Sequence, residues 1–512
     1  MKLATKSEMN QLDQEALIKY HIPSLLLMEQ AASRLFEYVV AHHKGKRILI
    51  LCGPGNNGGD GLALARQLVC LGGMQVRIGL ATTLDKLSKD GKCYYAICEK
   101  LGIPCVNVLI DRKQQEEHME WAEVIVDGIF GTGLTRNVEG DLAMLLQQVN
   151  KVNAFKLSID MPSGIACDTG DVLGEAIRAD CTITFQMGKV GQFLYPGMTY
   201  IGELRIVEIG IPGQLVEEMR GKYCAIDKTL VQKLLPDRPV RSNKGSYGKV
   251  LMIGGQKGMS GAICMASLGA MRVGAGLVTI AVPTSLTDIV EQKVTEAMTL
   301  PLPEWQGHLA KEAAEVIHAC IKNYSVVSIG PGLGRGEDLQ KIMEVVVQSD
   351  KPLVIDADGL HALKPHLEKL KQRAAPVILT PHVGEMSALC GVGIPEILNS
   401  PVEYARTFSE TYNVIVVLKL ERMIVAVPRQ DTIYINTKGH QAIAKGGAGD
   451  VLTGFVTGLL ACSKQPESAT LLGCYLHGDT TKRLVAYKGE YSVLPTDLLE
   501  YVGESFKDIM SL

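Results

Sequence analysis

Nowhere does the chain hold an apolar run approaching the ~18 residues needed to cross a bilayer, so no membrane span is expected. Positive charge is not in excess either. Lys and Arg number 52 against 55 Asp and Glu, a formal net charge of −3, so no basic field favours nucleic acid. The 13 cysteines are scattered, without a CxxC pair. That disfavours a disulfide frame and predicts reduced thiols. Cys264, Cys320 and Cys462 fall in apolar patterns and are expected in the core. The N-terminal stretch shows no apolar segment before a cleavage site, and Glu8, Asp13 and Glu15 are unlike a transit peptide. Leu12, Ala16 and Ile18 fit one face of a helix instead. No internal repeat aligns the two halves. A cytoplasmic enzyme, and a homo-oligomer, are the expectations.

What is present is an α/β chain. Apolar residues make up 46% and glycines number 53, the composition of a compact, turn-rich protein. At 512 residues two or three domains are expected. Short apolar runs alternate with helical patterns: strands are predicted at 47–52, 75–80, 123–126, 156–160, 181–185 and 204–207, with a helix over 62–71. This alternation predicts a parallel sheet with helices on both faces, and ligands beyond the carboxyl ends of the strands. The pattern weakens near Gly213, and Pro236 and Pro239 follow. The predicted division is a domain over 1–213, a linker over 214–239 and a second domain over 240–512. In the second half, strands are predicted at 249–253, 277–282, 326–329, 353–355, 377–379 and 414–418.

Three predicted strand ends of the first half carry polar loops. CGPGNNGGDG (52–61) contains GxGxxG. A dehydrogenase would add an acid about 20 residues on, but the next strand ends in threonines and Asp85 comes late. An asparagine-rich turn with helix caps is the plainer alternative. VDGIFGTGLTR (126–136) leaves backbone free at Gly131 and Gly133, with Arg136 able to meet a phosphate. SIDMPSG (158–164) places Asp160 and Ser163 at a strand end. An aspartate, a serine hydroxyl and an asparagine oxygen form a hard-oxygen set suited to a cation. In the second half, AKGGAGDVLTGFVTGLL (444–460) reads as a glycine turn, an aspartate and an apolar helix. Peptide N–H groups and a helix N-terminus there suit a phosphate. Asp450 would take a proton from an attacking hydroxyl, or else merely cap the helix.

GNNGGDG, DGIFGTGL, SIDMPSG and ADCTITFQMGKVG together resemble the NAD(P)H-hydrate epimerase family, over about residues 1–213. The resemblance implies a Rossmann-like three-layer sandwich. It implies that Asn56, Asn57, Gly58, Gly59 and Asp60, with Gly131, Thr132, Gly133, Leu134, Thr135, Arg136 and Asn137, line a pocket for hydrated NADH or NADPH. Asn57, Asp127 and Ser163 would bind potassium, and Asp160 would contact substrate and do acid–base work. From about 240 onward, KGSYGKVLMIGG, MSGA, VSIGPGLGRG, VIDADGL, LTPHVGEM and AKGGAGDVLTG resemble the ADP/ATP-dependent NAD(P)H-hydrate dehydratases, of ribokinase-like fold. That implies Ala262, Gly332 or Gly334, His382 and Asp450 on the hydrate, with Asp450 catalytic. Lys419, Leu420, Glu421, Arg422 and Met423, with Gly446, Gly447 and Gly449, would meet the adenine nucleotide. Glu385 is a candidate for a water-mediated magnesium site.

Plainer readings stand beside these. His382 and Glu385 could simply start a helix, and Asp356 and Asp358 could form a turn with Gly359. The chain departs from the dehydratase pattern of lysine, glycine, two residues, threonine: Leu420 and Met423 replace the glycine and threonine. His440 stands where asparagine is usual. Two other functions remain open: a ribokinase-like kinase acting on a vitamin or sugar alcohol, and a non-enzymatic nucleotide sensor.

Overall fold

The RILILC run shows why the first sheet is buried. In the computed structural model, which describes residues 1–511, Ile48, Ile50 and Cys52 enter one apolar cluster while Leu49 and Leu51 enter another. Successive strand residues face opposite ways, so a strand covered on both faces reads as an unbroken apolar run. This unit spans residues 2–223. Its seven-stranded sheet uses β1 (Ile48–Cys52), β2 (Val76–Leu80), β3 (Cys105–Asn107), β4 (Val124–Gly128), β5 (Phe155–Ile159), β6 (Cys181–Phe185) and β7 (Glu203–Val207). The spatial order is β3-β2-β1-β4-β5-β6-β7, all parallel. Order reverses between β1 and β4, the switch point where such sheets bind ligands.

The helix after β1 begins at Asn56 rather than Leu62 and runs to Cys70. Glycines let its first turn sit on the preceding loop: a Cβ on Gly58 would lie 2.0 Å from the Gly53 carbonyl oxygen. Leu12 and Ala16 are buried on the helix Lys6–Tyr20, but Ile18 is 71% exposed, so the N-terminal apolar face is Met9, Leu12 and Ala16.

The second unit takes residues 224 onward together with Met1. The 214–239 segment holds a helix (Gly213–Glu218), a strand (Tyr223–Ile226) and another helix (Lys228–Gln232). Within this unit β8 (Lys249–Ile253), β9 (Leu277–Pro283), β10 (Met298–Leu302), β11 (Val326–Ile329), β12 (Leu353–Ile355), β13 (Val377–Leu379) and β14 (Ile415–Leu418) are joined by β15 (Ile424–Ala426) and β16 (Ile433–Asn436). The order is β10-β9-β8-β11-β12-β13-β14-β15-β16, with only β15 antiparallel to its neighbours. β10, β15 and β16 escape the sequence pattern because they are short or carry no glycine turn.

The helix Ala448–Ser463 is apolar almost all round because it is buried among other elements. It lies against Ser260–Arg272 at backbone distance. A Cβ on Gly454 would meet the Ala266 carbonyl oxygen at 2.1 Å. We expect Gly454→Ala to force these helices apart and destabilise the unit by about 1–3 kcal/mol. A urea midpoint equal to that of the parent would contradict this close packing. All 13 cysteines are free. Cys264 is buried, whereas Cys320 and Cys462 are only half-buried, because each sits at or near the end of its helix. No described helix is long and apolar enough to cross a membrane.

Candidate active sites

In the first unit a cleft of about 650 Å³ opens at the switch point. It is lined by Asn56, Asn57, Asp60, Gly131, Thr132, Gly133, Leu134, Thr135, Arg136 and Asp160. Gly58 and Gly59 instead pack the helix against its surroundings, Gly59 beside the Met28 side chain. Asn137 is exposed and outside the lining. The sequence reading missed Met9, Asn10, Asp13 and Gln14, which the N-terminal helix brings to the cleft, as well as Lys189.

Asp160 directly follows β5 with φ +62°, a left-handed backbone rare for a side-chain-bearing residue. The surroundings hold it there. Its N–H donates to the Ile183 carbonyl at 2.8 Å, and its own carbonyl accepts from Gln192 Nε2 at 2.7 Å. Oδ1 accepts from Lys189 Nζ at 2.5 Å and from Thr184 Oγ1 at 2.9 Å. Lys189 is 1% exposed, an ammonium that burial tolerates only because it is paired and hydrogen-bonded.

Asp127 is the penultimate residue of β4 and is buried. Its Oδ1 accepts from Ser163 Oγ (2.5 Å), and its Oδ2 from Ser158 Oγ (2.9 Å) and Ser163 N (2.8 Å). Burial raises its carboxyl above the ordinary value, opposed by these hydrogen bonds. Asn57 is buried nearby, with its Nδ2 unpartnered, and its Oδ1 would lie 3.2 Å from a Cβ on Gly131. Among the described residues no three His, Cys, Asp or Glu side chains group as a metal cluster. The hard oxygens of Asn57, Asp127 and Ser163 suit an alkali cation in chemistry.

In the second unit Asp450 sits in the first turn of Ala448–Ser463, whose cap Gly447 has φ +102°. The amides of Gly446, Gly447, Gly449 and Asp450 have no hydrogen-bond partner among the described residues. They form an open cradle at a helix N-terminus, suited to an anion. Lys419 Nζ lies 3.3 Å from where a Cβ on Gly449 would be. It donates to Asp356 Oδ1 at 2.7 Å and lies 3.8 Å from Glu385. Burial lowers Lys419, but the carboxylates of Asp356 and Glu385 outweigh it and hold the ammonium charged. Asp356 is thus more than a turn residue. It is 1% exposed and ties Lys419 to Thr453, whose Oγ1 donates to Oδ2 at 2.7 Å. Asp358 accepts from the Gly334 amide at 2.9 Å, and so shapes that glycine loop.

Burial, then the charge of Asp356, raises the Asp450 carboxyl to about 7, with Lys419 opposing. Ala262 and Gly332 meet, 3.1 Å separating the alanine Cβ from a Cβ built on the glycine. His382 starts the helix Val383–Cys390: its Nδ1 accepts from Gly384 N and Glu385 N, while Glu385 Oε2 accepts from His382 N at 2.7 Å. Burial raises the Glu385 carboxyl.

The departing residues have structural places. Met423 packs on the core cluster, and its carbonyl accepts from Asn436 N. Arg422 is half-buried and donates to the Thr437 carbonyl. Leu420 is half-buried and Glu421 exposed, in the connection from β14 to β15. His440 caps the turn Gln441–Ile443 through Nδ1, the task an asparagine oxygen performs. His477, unremarked in the sequence, is buried and held neutral, its value lowered to about 4 by burial. Its Nε2–H donates to the Ala448 carbonyl at 3.1 Å, fixing the peptide below the amide cradle.

Comparison with known proteins follows this division. One family model, described as NAD(P)H-hydrate dehydratase, matches residues 250–504, and another, described as YjeF-related protein N-terminus, matches residues 24–191. A bifunctional NAD(P)H-hydrate repair enzyme of Moorella thermoacetica is 36% identical over 98% of this chain and 96% of its own length. Its namesake from Dictyoglomus turgidum is 34% identical over 100% and 99%. A ribokinase-like superfamily protein of Enterococcus faecalis matches with a TM-score of 0.50 and 25% identity, over 56% of this chain and 96% of that one. The chain belongs to the bifunctional NAD(P)H-hydrate repair enzymes.

Proposed function

We propose that this protein repairs hydrated NADH and NADPH. The first unit interconverts the R and S epimers at ring carbon 6. The second dehydrates the S form, with ADP or ATP as phosphoryl donor. The observation that carries the reading is the second site: an open amide cradle, a charged lysine beside it, and a carboxyl whose value lies near 7.

The nucleotide's terminal phosphate lies on the amides of Gly446, Gly447 and Gly449, with Lys419 drawing electrons from the transferring group. Asp450 removes the proton from the carbon-6 hydroxyl as it attacks phosphorus. A group near 7 is suited to this at neutral pH. The hydroxyl, now a phosphate ester, leaves as the ring nitrogen pushes its lone pair toward carbon 6. Loss of a carbon-5 proton restores the cofactor. Magnesium supplies charge neutralisation on the phosphates, and Glu385 would reach it through water. Asn57, Asp127 and Ser163 would hold potassium, whose part is to fix the loops around the first cleft.

A small-molecule kinase would use the same cradle but stop at a stable ester, and full-length similarity to repair enzymes favours repair. The R epimer alone, given ATP or ADP and magnesium, is expected to be converted completely to NADH. Conversion of S but never of R would remove the epimerase half of the proposal; conversion of neither would remove both.

A further inference from the structure

Three carboxyl groups and one ammonium face the first cleft: Asp13, Asp60, Asp160 and Lys189, with the guanidinium of Arg136 also on its lining. The ammonium is committed. Lys189 Nζ donates to Asp160 Oδ1 at 2.5 Å, to Thr184 Oγ1 at 2.8 Å and to the Phe185 carbonyl at 2.9 Å. Asp160 is therefore the partner of a buried lysine.

Asp60 has opposite surroundings. It stands in the first turns of the helix Asn56–Cys70, half-buried, with its carboxyl on the cleft. No hydrogen bond or ion pair engages that carboxyl among the described residues. Burial, and then the neighbouring charges of Asp160 and Asp13, push it well above the ordinary carboxyl value, with Lys189 opposing. Asp13 is raised less, to about 6, again by burial. Two carboxyl groups in one cleft, one paired with a cation and one isolated, mark an acid and a base.

We infer that Asp60 is the general acid of the first unit and Asp160 its general base, acting on the carbon-6 hydroxyl; this rests on the epimerase reading above. Asp60 gives its proton to the hydroxyl as the carbon–oxygen bond breaks and the ring-nitrogen lone pair fills in behind. Water departs, leaving a planar iminium carbon. Water then adds to the opposite face. The new carbon–oxygen bond forms, the electron pair returns to nitrogen, and the surplus proton passes to Asp160. The proton returns to Asp60 through solvent, so the cycle needs no oxidant, reductant or nucleotide.

The test follows exchange of the R hydrate of NADH into S by proton NMR, on the full chain without nucleotide, so that the second unit is idle. Asp60→Asn keeps the shape of a protonated aspartate but donates no acid proton. It is expected to lower kcat on the order of 10²-fold with little change in KM. Wild-type kcat is expected to fall as pH rises through the Asp60 titration, a limb that Asp60→Asn flattens. In ¹⁸O-water the product hydroxyl becomes labelled. Wild-type rates in Asp60→Asn, a wild-type profile that does not fall on its alkaline side, or an unlabelled product would each overturn the assignment while leaving the epimerase reading intact. The last two need no variant, so they decide even where Asp60→Asn fails to fold. A wild-type chain that exchanges nothing would overturn that reading and the assignment with it.

Discussion

Asp450→Asn is expected to lose hydrate dehydration by about 10²–10⁴-fold in kcat, with nucleotide binding little changed. The asparagine retains the shape of the side chain but cannot take the hydroxyl proton. The cradle amides and the ammonium of Lys419 remain in place, because neither is held by Asp450: the lysine is anchored on Asp356, and the Ala448 peptide by His477. In the wild type, kcat should rise with pH through about 7, where the base loses its proton. A stability effect of opposite sign accompanies the loss. The Asp450 carboxyl lies higher in the folded chain than in the unfolded one, so its favourable contribution is complete below about pH 4 and lost as pH rises through about 7. At pH 8 the neutral asparagine escapes that penalty and should stabilise the second unit by about 1–3 kcal/mol. A variant that is fully active, or that melts below the parent at this pH, would contradict the placement of this carboxyl.

Asp160→Ala is expected to stop use of the R hydrate, with a drop of about 10²–10⁴-fold in epimer exchange, while S is still dehydrated at the parental rate. The alanine removes more than a base. It leaves Lys189 as a buried ammonium with only neutral oxygens, a charge that costs about 3–5 kcal/mol when unpaired. Asp160→Asn is the gentler companion, keeping an oxygen for Lys189 and losing the charge. Both variants should fail in exchange, and the asparagine should be the more stable in thermal melts. Unchanged exchange in Asp160→Asn would remove the carboxylate from the chemistry.

The two sites differ in how much of them could be read beforehand. Strands such as RILILC announce themselves because both faces are covered, and the glycine turns that follow mark where backbone must approach backbone or ligand. These two signals delivered the sheets, the loops at their carboxyl ends and the positions of Asp160 and Asp450. The residues that give those carboxyls their properties were not legible. Lys189 looks like any surface lysine near a glycine. Only a contact across 29 residues shows it paired with Asp160. Asp356 reads as a turn residue until Lys419 and Thr453, 63 and 97 residues away, are seen to share it. His477 lies within a helix whose burial no periodicity revealed, because that helix is enclosed on nearly all sides. Pairings of this kind depend on the packed fold, and local sequence pattern carries no trace of them.

The central claim is that phosphorylation at the second site is a means of expelling the hydroxyl and not an end. Its direct test is to count, in one cuvette, inorganic phosphate released and NADH restored from the S hydrate with magnesium and ADP or ATP. One phosphate for each NADH, with no phosphorylated organic product accumulating, is the predicted result. Nucleotide consumption that ends in a stable phosphate ester and restores no NADH would contradict it.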